Sequence, residues 1–133
     1  MKNGNILLIN RLKIGLLLKA IREERAISQK DMALKVGYAN PTFTCSVEKG
    51  NSNIPIDKVY DFAREYAVAG ERGTLGAAIL KNLHPDCWDV SCKVIFDLVN
   101  FSKDAKEFAK EIDEWVNKEL KKFKINITAT NFE

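Results

Sequence analysis

The stretch SQKDMALKVGYANPTFTCSVEKG, residues 28–50, changes character halfway. Met32, Ala33 and Val36 recur at helical spacing and the run stops at Gly37, where a positive φ is least costly. Ser28 is placed to cap this run, with Asp31 three residues on. Asn40 and Pro41 restart the chain as cap and first helical residue. The second run has only Phe43 and Val47 on its inward side and ends at Gly50. Two short helices joined at a glycine make a helix-turn-helix arrangement. The second has few apolar residues because only one of its sides needs burial. Asn40, Thr42, Cys45, Ser46 and Lys49 face away from Phe43 and Val47. A helix with small polar side chains on its outer face can sit deep in the DNA major groove, where each base pair shows a distinct pattern.

The flanking sequence predicts more helices. Ile14, Leu17, Leu18 and Ile21 give one buried face to a first helix over about residues 10–24. Asn51, Ser52 and Asn53 form a polar loop, and Pro55 opens a fourth helix with Val59, Tyr60, Ala63 and Tyr66 at helical spacing. Three glycines at residues 70–76 mark a boundary within AVAGERGTLG. GAAILKNLH predicts a short helix, and Pro85 breaks it. DCWDVSCKVIFDLVN predicts another helix, capped near Asp86. Ser102 caps a longer helix whose stripe is Ala105, Phe108, Ala109, Ile112, Trp115, Val116, Leu120 and Phe123. The tail INITATNFE is β-prone or frayed; as a strand its candidate partner is ILLI near the start, within one chain or across a dimer. The fold class is therefore all-α. A helix-turn-helix domain occupies 1–69, and a helical segment for dimerisation or for a partner occupies 71–133.

Bulk properties bound the function. A chain of 133 residues with 46% hydrophobic and 29% charged residues has the composition of a soluble globular protein. Arg11 and Lys13 interrupt the apolar N-terminal run, so neither a signal peptide nor a membrane span is expected. The three cysteines, Cys45, Cys87 and Cys92, form no disulfide framework, which points to a reducing, cytoplasmic setting. Their spacing, with His84 as the one histidine, gives no metal site. No cofactor motif is present, and no nucleophile-base pair supports an enzyme. Residues 1–58 hold ten Lys and Arg against five Asp and Glu, whereas residues 59–133 hold eleven against thirteen. A basic first half suits a polyanion, and the acidic second half suits protein contacts. Cys45 reads as a small groove-facing residue rather than a redox switch. Trp88 and Trp115 read as core.

Residues 28–50 resemble the helix-turn-helix of the phage repressor and Cro-like family, also called the xenobiotic response element family. The marks are the Ser28-Gln29 opening, Ala33, Gly37 and the Val47-Glu48-Lys49-Gly50 ending. The resemblance covers roughly residues 12–70. The Gly-Tyr-x-Asn-Pro turn, SNIPIDKV after it and the later LHPDCWD are similar to regulators common in prophages. The resemblance implies a five-helix DNA-binding domain. It places Thr42 and Ser46 against base edges, with Asn40 and Cys45 as neighbours. It places Gln29 and Lys30 at the start of the second helix, and Lys49, Asn51 and Asn53 in the following loop, on backbone phosphates. It makes Arg22 and Glu48 a structural ion pair. Thr44 departs from the pattern, because an aliphatic residue is usual there; its hydroxyl needs a partner, expected at a carbonyl four residues back. No Arg or Gln stands on the recognition face, so specificity shifts toward shape and phosphate contacts.

The expected function is a sequence-specific transcriptional regulator, a homodimeric repressor of bacterial or prophage genes. It would act at the nucleoid on a palindromic operator in double-stranded DNA. Two rivals share the scaffold: an antitoxin that binds a toxin and represses its own operon, and a protein-interaction module that uses the helix-turn-helix scaffold without binding DNA; a protein partner would dock on residues 71–133.

Overall fold

The computed structural model describes residues 2–88 and 105–127. The chain is all-α: six α-helices and two short 3-10 turns, with no strand among the described residues. The helices are α1 (Lys2–Glu24), α2 (Gln29–Val36), α3 (Thr42–Glu48), α4 (Val59–Tyr66), α5 (Arg72–Leu83) and α6 (Ala105–Lys122). Among the described residues no helix is long and apolar enough to cross a membrane. The helix expected beyond Trp88 and the cap at Ser102 lie outside the described residues, as does most of the β-prone tail.

Helix α1 starts eight residues earlier than about residue 10, the expected start, so ILLI is helical and offers no strand edge to the tail. Its leucines are good helix formers, and no proline separates them from the amphipathic run that follows. Ile14, Leu17, Leu18 and Ile21 are buried as the spacing predicts. Ser28 caps α2, its Oγ accepting from the Asp31 amide at 3.0 Å. Gly37 ends α2 at φ 107°, with Tyr38 N–H donating to the Ala33 carbonyl at 2.8 Å. Gly50 closes α3 in the same way at φ 78°, with Asn51 N–H donating to Ser46 at 3.0 Å.

On α4 the spacing misplaces one residue. Tyr60 is 71% exposed, and Phe62 takes the core position beside Val59, Ala63 and Tyr66. The two aromatics are two residues apart on a helix, so they cannot share a face, and the buried face is the one that meets α5 and α2. Phe62 and Tyr66 stack at 5.7 Å between centroids. The boundary expected at residues 67–76 is a short turn at Gly70 (φ 92°). The hydrophobic core continues across it: Leu75, Ala78, Ile79 and Leu83 of α5 join the same cluster as Leu17 and Phe62, and Ile112, Val116 and Leu120 of α6 extend it. Trp88 and Trp115 serve separately. Trp88 stacks on Phe108, and Trp115 donates to Glu71 at 3.1 Å.

Gly15 sits where α1 crosses the end of α3. A Cβ there would lie 2.4 Å from the Val47 carbonyl oxygen and 2.8 Å from that of Glu48. Both neighbours are backbone, so neither can swing away. Gly73, in the first turn of α5, has nothing within 4 Å of the same added atom. Two glycine-to-alanine changes should therefore differ in sign. Gly15→Ala should destabilise by about 1–3 kcal/mol through overpacking. Gly73→Ala should stabilise by up to about 1 kcal/mol through helix propensity. Urea unfolding of both variants checks this, and equal effects would remove the close approach of α1 and α3.

Candidate nucleic-acid interface

The position of α3 is set by a buried charged cluster. Arg22 Nε donates to Glu48 Oε2 at 2.8 Å, and Arg22 Nη2 donates to Oε1 at 2.9 Å. The Arg22–Glu48 pair is therefore present as expected. Its third member has no local signal in the sequence: the Tyr66 hydroxyl donates to Glu48 Oε2 at 2.6 Å. Arg22 Nη1 also donates to the Ile27 carbonyl at 2.9 Å, which ties down the turn leading into α2. One side chain from α1 and one from α4 thus hold the last residue of α3. Burial, and then the bond to Glu48, push the Tyr66 phenol well above its ordinary value of 10.0. The hydrogen bond to Glu48 holds the Arg22 guanidinium above its ordinary range despite burial.

A second anchor is aromatic. Tyr38, just past Gly37, lies 5.1 Å from the Phe43 ring and 6.4 Å from Phe62, and Lys58 Nζ sits 5.1 Å from its ring centre. This chain of rings fixes the turn between α2 and α3. Thr44, the departure from the family pattern, is buried and donates to the Pro41 carbonyl at 3.2 Å. The partner lies three residues back rather than four, and the same carbonyl also accepts from the Cys45 amide at 2.8 Å.

The outer face collects most of the residues assigned to DNA. Asn40 and Thr42 are exposed, and Cys45 and Ser46 are half-buried. Helix α3 starts at Thr42, one residue later than expected, so Pro41 and not Asn40 takes the cap position; Asn40 Oδ1 accepts from the Thr42 amide at 3.0 Å from one residue further back. The Ser46 hydroxyl meets that of Ser52 at 2.6 Å, a pairing across six residues that no local pattern signals. A recess of about 320 Å³ opens here, with Asn40, Thr42, Ser46 and Ser52 around it and the rings of Tyr38 and Phe43 behind. Among residues assigned to phosphate, Gln29 and Lys30 are exposed at the start of α2, and Lys49 and Asn51 are exposed after α3.

Asn53 is a correction. Its Nδ2 donates to the Leu83 carbonyl at 3.2 Å and its Oδ1 accepts from the Ile54 amide at 2.9 Å. Its amide fastens the loop to the end of α5 and is not presented outward. Lys58 is the cation that spacing alone did not assign. Its contact with Tyr38 beside Gly37 could not be inferred without the tertiary structure.

No family model, curated protein or solved structure matches the chain.

The cluster yields three predictions. Arg22→Leu leaves Glu48 buried without its cation and should cost about 3–5 kcal/mol in chemical denaturation. Tyr66→Phe removes one bond to a carboxylate and should cost about 1.5–3 kcal/mol. The Tyr66 pKa is raised on folding, so its contribution is complete below about pH 10 and is lost as pH rises above that value. Wild-type stability should fall by up to about 1.4 kcal/mol per pH unit in that range, and Tyr66→Phe should remove that part of the slope. Unchanged slopes in the two proteins would place the phenol outside the cluster.

Proposed function

We propose that this chain is a DNA-binding transcriptional regulator of the repressor and Cro-like helix-turn-helix type. It would act as a homodimer that blocks a promoter at a palindromic operator. The carrying observation is the construction of α3. Its inner side is locked by Phe43, Thr44, Val47 and the Glu48 cluster, and its outer side bears only short polar side chains. A rigid helix with a polar, unobstructed face is what the major groove accepts. The exposed cations Lys30 and Lys49, with Gln29 and Asn51, supply candidate phosphate contacts at the two ends of the motif. A single module of this size buries about 600–1,000 Å² on DNA, which favours two copies on two half-sites. A cytoplasmic, nucleoid-associated location belongs to this same proposal.

One observation favours a protein-interaction role beside it. A groove of about 410 Å³ runs between α4 and α5, floored by Ala63, Gly76 and Ala77 and flanked by the exposed Tyr60 and Ile56. An antitoxin or other protein-binding module would use such a surface.

The test is binding of the full chain to the DNA upstream of its own gene and to random DNA, at two salt concentrations. The regulator should bind its own upstream DNA more tightly, with affinity falling by about 0.9 logarithmic units per phosphate contact for each tenfold rise in salt. Lys49→Ala should reduce that slope by about one contact. Ser46→Arg should abolish sequence preference while the chain stays folded, with a thermal melt lowered only by the loss of the Ser46–Ser52 bond. Equal, salt-insensitive binding to both DNAs would favour the protein-interaction reading.

A further inference from the structure

Away from the face assigned to DNA, the apolar stripes of three helices turn polar at one place. On α1, Asn10 lies one turn before the buried Ile14, and Lys13 one turn before the buried Leu17. On α5, Asn82 lies one turn after Ala78, in a stripe with Ile79 and Leu83, all buried. On α6, Asp113 and Asn117 are one turn apart, beside the buried Ile112 and Val116. These residues and Lys81 surround a recess of about 320 Å³ in which Val116 is the one apolar lining residue. Lys81 and Asp113 are joined at 2.9 Å, so that pair neutralises itself. Lys13 has no ion-pair partner among the described residues, and two cations against one carboxylate leave the recess with a net charge of +1. Asn82 is 8% exposed, and its Nδ2 donates to the Ala78 carbonyl at 2.8 Å. Its Oδ1 has no hydrogen-bond partner among the described residues and is not sealed in the core, so it opens on the recess that Asn82 lines. An apolar side chain would fill this place in the stripe without leaving an acceptor unused.

We propose that this recess between α1, α5 and α6 binds a small monoanion rich in hydroxyl groups, the chemical class of the sugar acids. The single net positive charge selects one carboxylate, which pairs with Lys13. Hydroxyl groups both donate and accept, so they satisfy the Asn82 Oδ1 acceptor and the side-chain amides of Asn10 and Asn117. An apolar ligand has nothing to bury against here but Val116. The volume is at the lower end for small-molecule sites, which suits a ligand of about a dozen non-hydrogen atoms. The site does not depend on whether α3 reads DNA.

The test is calorimetric titration of the full chain with four probes. Gluconate and glucuronate carry both the charge and the hydroxyls, glucose lacks the charge, and acetate lacks the hydroxyls. At least one of the two sugar acids should bind at one site per chain, about ten-fold or more tighter than glucose or acetate. Lys13→Met should weaken that binding about ten-fold or more, through loss of a charge-assisted hydrogen bond. Asn82→Leu should abolish it while leaving the urea midpoint unchanged or higher, because leucine completes the apolar stripe of α5. Should Asn82→Leu fail to fold, Lys13→Met decides the matter, since Lys13 is only half-buried. The site is refuted if neither sugar acid binds, if acetate or glucose binds as tightly, or if Lys13→Met binds like the wild type. DNA binding is measured separately without these ligands, so failure of one reading leaves the other standing.

Discussion

Glu48 brings a carboxylate to the centre of the bundle, and the architecture around α3 is arranged so that it is never alone there. A buried carboxylate without partners would cost several kcal/mol, more than a seven-residue helix with two or three inward side chains could offset. The two-pronged bond from Arg22 and the hydroxyl of Tyr66 provide those partners from two other helices. Both donors arrive with fixed geometry, so satisfying the charge also fixes where α3 stands relative to α1 and α4. Replacing the cluster with apolar side chains of similar volume need not weaken the fold, but nothing else on so short a helix would set its rotation as narrowly.

The close approach at Gly15 belongs to the same design. Arg22 must reach Glu48 from α1, and α1 can lie near enough only where its surface carries no side chain against the Val47 and Glu48 carbonyls. Gly50 completes the crossing on the other side, since an added Cβ there would meet the Leu12 backbone at 3.0 Å. The ion pair and the glycine contact are thus mutually dependent. On the far side of α3, the ring chain Tyr38, Phe43 and Phe62 prevents the turn from swinging. A helix held this way on its inner side can leave its outer side free of apolar residues, which is the property the proposed DNA-reading role requires.

The region after Gly70 is joined to this frame rather than appended to it. Helix α5 packs along α4 and α1, Asn53 and His84 pin the loop after α3 to the end of α5, and α6 closes over α5 with Lys81 bridging to Asp113 at 2.9 Å.

Much of this was legible in the sequence, because it depends on local rules. Ser28, Gly37, Asn40 and Gly50 mark the ends of α2 and α3, and capping acts over three or four residues, within reach of a reading along the chain. The buried stripes of α1, α2 and α6 follow from helical periodicity, and Arg22 and Glu48 were paired through the motif that frames them. What the tertiary structure alone decided involves residues far apart in sequence. Tyr66 joins Glu48 across eighteen positions and Asn53 meets Leu83 across thirty. Gly15 is needed only because another helix's backbone passes there. The choice of Phe62 over Tyr60 depended on which neighbour α4 would meet, and the pairing of Ser46 with Ser52 depended on how the loop folds back. The sequence determined which runs form helices and marked the local signals at Ser28, Gly37 and Gly50 that bound α2 and close α3. Three-dimensional packing determined which polar groups are used up inside the fold and which are left to face a partner, because a hydrogen bond is satisfied by position in space and not by position in the chain.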